Sequence, residues 1–192
     1  VIFQTTVRVN VHDRYAAHAE LDKIYKARSG KNRGWHHAIV DAGPGGYWAL
    51  LRTDQEEFVT ASPKPQAWSA SPATSNGQEV TFVIQYTPKK GRLFSRFFND
   101  DEFALEHVRS RLQMLEPLSV QLMSRQHVAI SKRSIAYRAP SAFFLVTGRV
   151  QDAEAFKDVL CAGIGGSRAF GVGLPITTDS ALYELALALA EV

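Results

Sequence analysis

Gly163-Ile164-Gly165-Gly166-Ser167-Arg168-Ala169-Phe170-Gly171-Val172-Gly173 places five glycines within eleven residues. Glycine loses more conformational freedom on folding than any other residue, so this density signals a backbone that needs positive φ or very close approach to a neighbour. The flanking patterns narrow what that neighbour is. Residues 152–162 read as a helix, with Asp152 placed to cap its start and Gly163 just past its end, and residues 172–177 read as a strand. A dinucleotide fingerprint needs the opposite order, with glycines after a strand and at the opening of a helix, where the positive end of the dipole meets the pyrophosphate. The GxxxxGK[ST] phosphate loop is absent as well. Two readings stay open: a nest in which backbone N–H groups and Arg168 hold an anion such as phosphate, and a helix-to-strand turn whose glycines serve tight packing.

Working outward, residues 134–150 and 120–130 read as strands, and residues 101–116 as an amphipathic helix with Phe103, Leu105, Val108, Leu112 and Leu115 on its apolar side, ended by Pro117. Residues 80–86 form another strand pattern. From 79 to 177 the order is therefore strand, helix, strand, strand, helix, strand, the split βαβ unit. The first part of the chain repeats it: a strand over 1–11, a helix from Asp13 to about residue 28, and strands over 37–41 and 47–53 joined by the turn Gly43-Pro44-Gly45-Gly46. Weaker strand patterns follow at 58–61 and 66–70. The Ser/Pro/Asn-rich stretch 69–77 marks a boundary. The expected fold is α+β, two tandem ferredoxin-like (RRM-like, βαββαβ) units over 1–76 and 77–192, with an extra C-terminal helix over 179–191 capped by Asp179 or Ser180.

At 192 residues, 45% hydrophobic and 21% charged, the composition is that of an ordinary globular protein. The excess of Lys and Arg over Asp and Glu is 22 to 19, and a pI near 9.1 permits a nucleic-acid partner without demanding one. A lone cysteine, Cys161, excludes an internal disulfide and a thiolate zinc cluster and reads as a small apolar residue on the inner face of its helix. No apolar run is long enough to span a membrane, and no signal-peptide pattern is visible. The expectation is a cytoplasmic protein with no membrane partner. No metal site is expected either: Asp100-Asp101-Glu102 reads as an acidic helix start.

The twin βαββαβ pattern, the loop Gly-Ile-Gly-Gly-Ser-Arg-Ala-Phe-Gly-Val-Gly-Leu at 163–174, and Tyr15-Ala-Ala-His18 on the first helix together resemble the CRISPR-associated repeat-processing endoribonucleases. The form of the loop is similar to that of the crRNA-maturation subunit of type I-E effector complexes, and the resemblance spans most of the chain. The C-terminal helix, and a Tyr86-Thr-Pro88-Lys89-Lys90 turn where that subfamily carries Ala-Asn-Pro, depart from the pattern and fit a divergent branch such as a type IV system.

The resemblance implies metal-independent cleavage of a CRISPR repeat RNA hairpin by the ribose 2′-hydroxyl, with no cofactor, by a subunit of a multi-subunit effector complex. It assigns proton transfer to His18 and a supporting role to Tyr15. His36 and His37, in the next strand, are reserve candidates; His12 lies beside the helix cap, and His107 and His127 read as solvated. RNA holding is expected from Arg168, Gly163, Gly165 and Gly166 and from the cations Lys89, Lys90, Arg92, Arg125, Lys132, Arg133 and Arg138, mainly through phosphates. Two alternatives remain: a non-catalytic RNA-hairpin-binding subunit of the same fold, and a ferredoxin-like domain that binds a phosphorylated metabolite at the glycine loop.

Overall fold

The computed structural model describes residues 1–25, 34–41, 43, 45–89, 91–132 and 135–192, with backbone alone for 130–132, 135, 137 and 169. The chain runs β1 (Ile2–Val9), α1 (Arg14–Ile24), β2 (His36–Asp41), β3 (Tyr47–Thr53), α2 (Glu56–Thr60) and β4 (Ser69–Ser71). It continues with β5 (Glu79–Tyr86), α3 (Phe94–Asn99), α4 (Asp101–Arg109), β6 (Leu115–Lys132), β7 (Ile135–Val150), α5 (Ala153–Ala162), β8 (Ile176–Thr177) and α6 (Tyr183–Ala190). Two four-stranded antiparallel sheets result, ordered β2-β3-β1-β4 and β6-β7-β5-β8. In both, the first strand lies between the third and fourth of its unit, the ferredoxin-like order expected from the sequence.

Helix starts follow the capping rules. The carboxylates of Asp13, Asp100 and Asp152 accept from the backbone N–H groups of Ala16, Phe103 and Ala155, at 2.8, 2.9 and 3.0 Å. Other expectations are corrected. Residues 56–60 form a helix where 58–61 reads as a strand: Glu56 and Glu57 sit in its first turn, where the dipole favours acids, and Phe58 is the buried anchor. Of the weak pattern 66–70 only Ser69 and Ala70, together with Ser71, join the sheet beside β1. The helix expected over 101–116 stops at Arg109. Leu112 and Leu115 reach the same core through a turn and the start of β6, so their spacing mimics a helix that is not there. The strand expected over 172–177 shrinks to Ile176–Thr177, because Gly171 and Gly173 take positive φ and Pro175 has no N–H to pair. Asp179 does not cap α6; its carboxylate accepts from Gln4 and Ser71, both at 2.9 Å, while the Ser180 hydroxyl accepts from Leu182 N–H at 3.3 Å.

Each sheet buries one face under its own helices. Val9, Ala49 and Leu51 meet Ala17 and Leu21 of α1; Phe82, Ile84 and Phe144 meet Val108 of α4 and Phe156 of α5. The other faces share a core: Ala38, Val40 and Leu50 from the first sheet and Val83, Phe143 and Ile176 from the second close around Leu182, Ala186 and Ala190 of α6. The added C-terminal helix is thus the filling of the seam between the halves.

One buried cation crosses that seam. Arg52 of β3, 1% exposed, donates to Gln4 Oε1 at 3.2 Å, to the Pro175 carbonyl at 2.6 Å and to Thr177 Oγ1 at 2.6 Å. Burial pulls its pKa down to about 10, with Asp179 opposing, so it stays charged at neutral pH. Arg52→Met leaves those acceptors dry and unpaired, and a loss of about 3 kcal/mol is expected in urea denaturation.

His107, expected in solvent, stacks on Phe103 (5.6 Å between centroids, 14° between planes) with Tyr86 and Phe97 at its edges. Desolvation, aided by Arg111, lowers its pKa below the ordinary 6.5. The unfolded chain then binds the proton first, so this contribution is complete above about pH 6.5 and is lost as pH falls from there through the folded pKa. Thermal unfolding between pH 7.5 and 5.5 should fall more steeply in the wild type than in His107→Gln.

Candidate functional site

The glycine stretch lies where the halves touch. Gly163 closes α5 at φ 68°, donating to the Val159 carbonyl at 2.9 Å. Beyond it, Ile164 N–H donates to Gly173 O, Gly166 to Thr87 O, Gly171 to Arg168 O and Gly173 to Gln85 O, at 2.7–3.1 Å. The Gly171 carbonyl in turn accepts from Ile39 N–H at 3.0 Å, which zips the loop to β2 of the other half. A Cβ on Gly163 would stand 2.6 Å from the Gly173 carbonyl oxygen, one on Gly165 2.5 Å from the Tyr86 ring, and one on Gly171 inside the Ile39 side chain. Of the two readings left open, tight packing is the one this geometry meets. The N–H groups of residues 163, 164, 166, 171 and 173 serve the chain's own carbonyls.

What the loop presents outward is Arg168. It is exposed, and its guanidinium donates to the Ala162 carbonyl at 3.1 Å, at the negative end of α5. Gly166 rests against Pro88 and Lys89, so exposed Lys89 shares this edge, and exposed Arg92 follows in the turn Gly91–Leu93. Arg138 is exposed on β7, opposite Ala129. Arg125 is committed elsewhere, to Asp101 at 2.7 Å and the Phe97 carbonyl at 3.4 Å. Lys132 pairs with Ile135 at the hairpin tip through its backbone; Lys90 and Arg133 lie outside the described residues.

Helix α1 brings the expected reactive pair to the same junction. The half-buried Tyr15 ring lies 6.4 Å from Phe170 of the loop. His18 differs from expectation. A catalytic role calls for some access to solvent and substrate, yet the His18 side chain is only 7% exposed, with its ring stacked on His37 (5.3 Å, 16°) and Nε2 3.4 Å from Asp22 Oδ2. The reason is register: odd-numbered residues of β2 face α1, so His37 and Ile39 rise under this helix while His36 points outward. Of the two reserve histidines, the structure brings His37 to His18 and leaves His36 exposed. An imidazole set between a carboxylate and a second ring is oriented for proton exchange and shielded from bulk water. His12 is exposed, and His127 is exposed with its ring 4.4 Å from Phe98.

Sequence reasoning missed Arg14. It is 9% exposed and donates to the carbonyls of Ile39 (3.1 Å) and Phe170 (3.3 Å) and to Gln85 Oε1 (3.0 Å). Desolvation lowers its pKa to about 10, with Tyr47 and Asp41 opposing. Nothing local separates it from a surface arginine after a cap. Arg14 also lines a cleft of about 610 Å³ at the seam, with Tyr47, Arg125, His127, Phe143 and Leu189. Among the described residues no three His, Cys, Asp or Glu side chains gather as a metal site, and no helix is long and apolar enough to cross a membrane.

The model of a family described as CRISPR associated protein matches residues 103–175. Curated proteins give no match. Among solved structures, Thermus thermophilus Cse3 bound to an RNA representing a pre-cleavage complex superposes with a TM-score of 0.65 at 18% identity, over 93% of this chain and 99% of that one. Cas6e from Escherichia coli K-12 gives 0.62 at 16%, over 91% and 98%, and a chain of a CRISPR RNA-guided surveillance complex 0.67 at 18%, over 91% and 98%. The family resemblance and the expected fold are both borne out.

The loop's packing makes its glycines unequal to others. Gly171→Ala meets Ile39 at positive φ, whereas Gly77→Ala, at φ 83°, meets open space. Denaturation should show about 1–2 kcal/mol lost at Gly77, from the backbone alone, and clearly more at Gly171.

Proposed function

We propose that the protein is a CRISPR precursor-RNA endoribonuclease that cuts within the repeat hairpin and keeps the mature guide RNA as a cytoplasmic effector-complex subunit. The observation that carries this is the contact of Tyr15, one turn before His18 on α1, with Phe170 of the loop that bears Arg168, in a fold shared with RNA-bound Cse3. The ribose 2′-oxygen attacks the neighbouring phosphorus, its proton passing to a base. The bond from phosphorus to the 5′-oxygen breaks as that oxygen gains a proton. The products are a 2′,3′-cyclic phosphate and a 5′-hydroxyl, and no metal is needed. His18, as general base or acid, handles one of these protons, since an imidazole titrates nearest neutrality. Tyr15 orients the 2′-hydroxyl or phosphate. Arg168, Lys89, Arg92 and Arg138 supply cations for the backbone of the stem. The glycines at 163, 165 and 166 act indirectly, by holding the loop that carries Arg168. Arg125 serves the fold through Asp101.

A second reading, a hairpin-binding subunit that does not cut, draws support from the enclosure of His18. Incubating the protein with repeat RNA in EDTA separates the two. Cleavage with a 2′,3′-cyclic end is expected, reduced about 100-fold or more in His18→Ala with binding retained. Undiminished cleavage by that variant removes His18 from the role, and binding without cleavage by the wild type establishes the second reading. Affinity should fall at least tenfold between about 50 and 200 mM salt, and by less in Arg168→Ala.

A further inference from the structure

We propose that Arg14 is a positioning residue for this reaction, the clamp that sets Tyr15 and His18 against the RNA-facing loop; the proposal rests on the nuclease reading above. The guanidinium binds three segments, and each carries another part of the site. Its bond to the Phe170 carbonyl fixes the residue whose ring meets Tyr15, two positions after Arg168. Its bond to the Ile39 carbonyl fixes the strand that stacks His37 on His18, two positions earlier. Its bond to Gln85 Oε1 fixes the end of β5, whose next residues run through Thr87, the acceptor for Gly166, to Lys89. Arg14 itself precedes Tyr15 in α1 and lies one turn before His18. One rigid fork therefore holds the reactive helix to both halves at once, and its planar donors set orientation as well as distance. Small misplacement of a reacting group costs large factors in rate, while phosphate contacts tolerate it.

The test uses the full chain, with Arg14→Lys, Gln85→Leu and, as a control, Arg52→Lys at the other buried arginine. Three quantities are measured well below the unfolding temperature: the single-turnover cleavage rate of repeat RNA, its Kd, and amide exchange over residues 15–18 and 168–171. Gln85→Leu removes one bond without touching a buried charge, and covers the case in which Arg14→Lys does not fold. The expected result is a rate lowered about tenfold or more in Arg14→Lys and Gln85→Leu, Kd within about threefold, and faster exchange in both segments together. Arg52→Lys should lose stability and keep its rate. Rates near wild type in a folded Arg14 or Gln85 variant, or an equal loss in Arg52→Lys, overturn the proposal. A wild type that binds RNA without cutting it overturns the nuclease reading, and with it any role for Arg14 in catalysis. Exchange then judges the clamp alone, unchanged protection of the two segments refuting it.

Discussion

Two guanidinium groups buried at the junction of the sheets, Arg14 beside the glycine loop and Arg52 beside β8, tie the halves of this molecule together. A charge removed from water is tolerated only where its donors are met. Here the acceptors are neutral carbonyls, amides and a hydroxyl drawn from both halves. Apolar packing around α6 supplies attraction between the sheets but little direction. The arginines supply direction, because the three hydrogen bonds at each guanidinium fix a relative orientation that greasy surfaces would leave loose.

The glycine loop is the backbone counterpart of these side chains. It hydrogen-bonds to the end of β5 on one side and to β2 on the other, and its missing side chains allow both approaches. Its density of glycine reflects contact with the protein itself, and the one cation it displays stands at the foot of α5. Tyr15 and His18 on α1 and the cations beyond β5 belong to different halves, and this strip of chain joins them.

The fold was largely legible because both units carry strong local signals: alternation in the strands, three aspartate caps, and glycine after α5. Where it was misread, local pattern competed with tertiary packing. Phe58 reads as a strand residue until its burial against the first sheet is known, and the spacing of Leu112 and Leu115 fits a helix although the chain has already turned. Tyr15 and His18 were found through family resemblance, and their placement beside Phe170 and His37 has no signature in sequence. Arg14 could not be found at all, since a charged residue after a helix cap is ordinarily solvated. Arg52 had a faint signal, a cation closing the apolar run Trp48-Ala49-Leu50-Leu51. Arg125 misled in the opposite sense: it looked like part of a basic surface and is engaged by Asp101.

Helix α6 follows both sheets in chain order yet lies between them. During synthesis each unit can therefore reach its own topology as it leaves the ribosome, while the join waits for a segment translated after both. Until then the apolar inner faces of two nearly finished sheets stand open to water and to each other. Assembly of the junction becomes a late, single event, and nascent chains stalled before α6 would present greasy surfaces to chaperones rather than a closed seam.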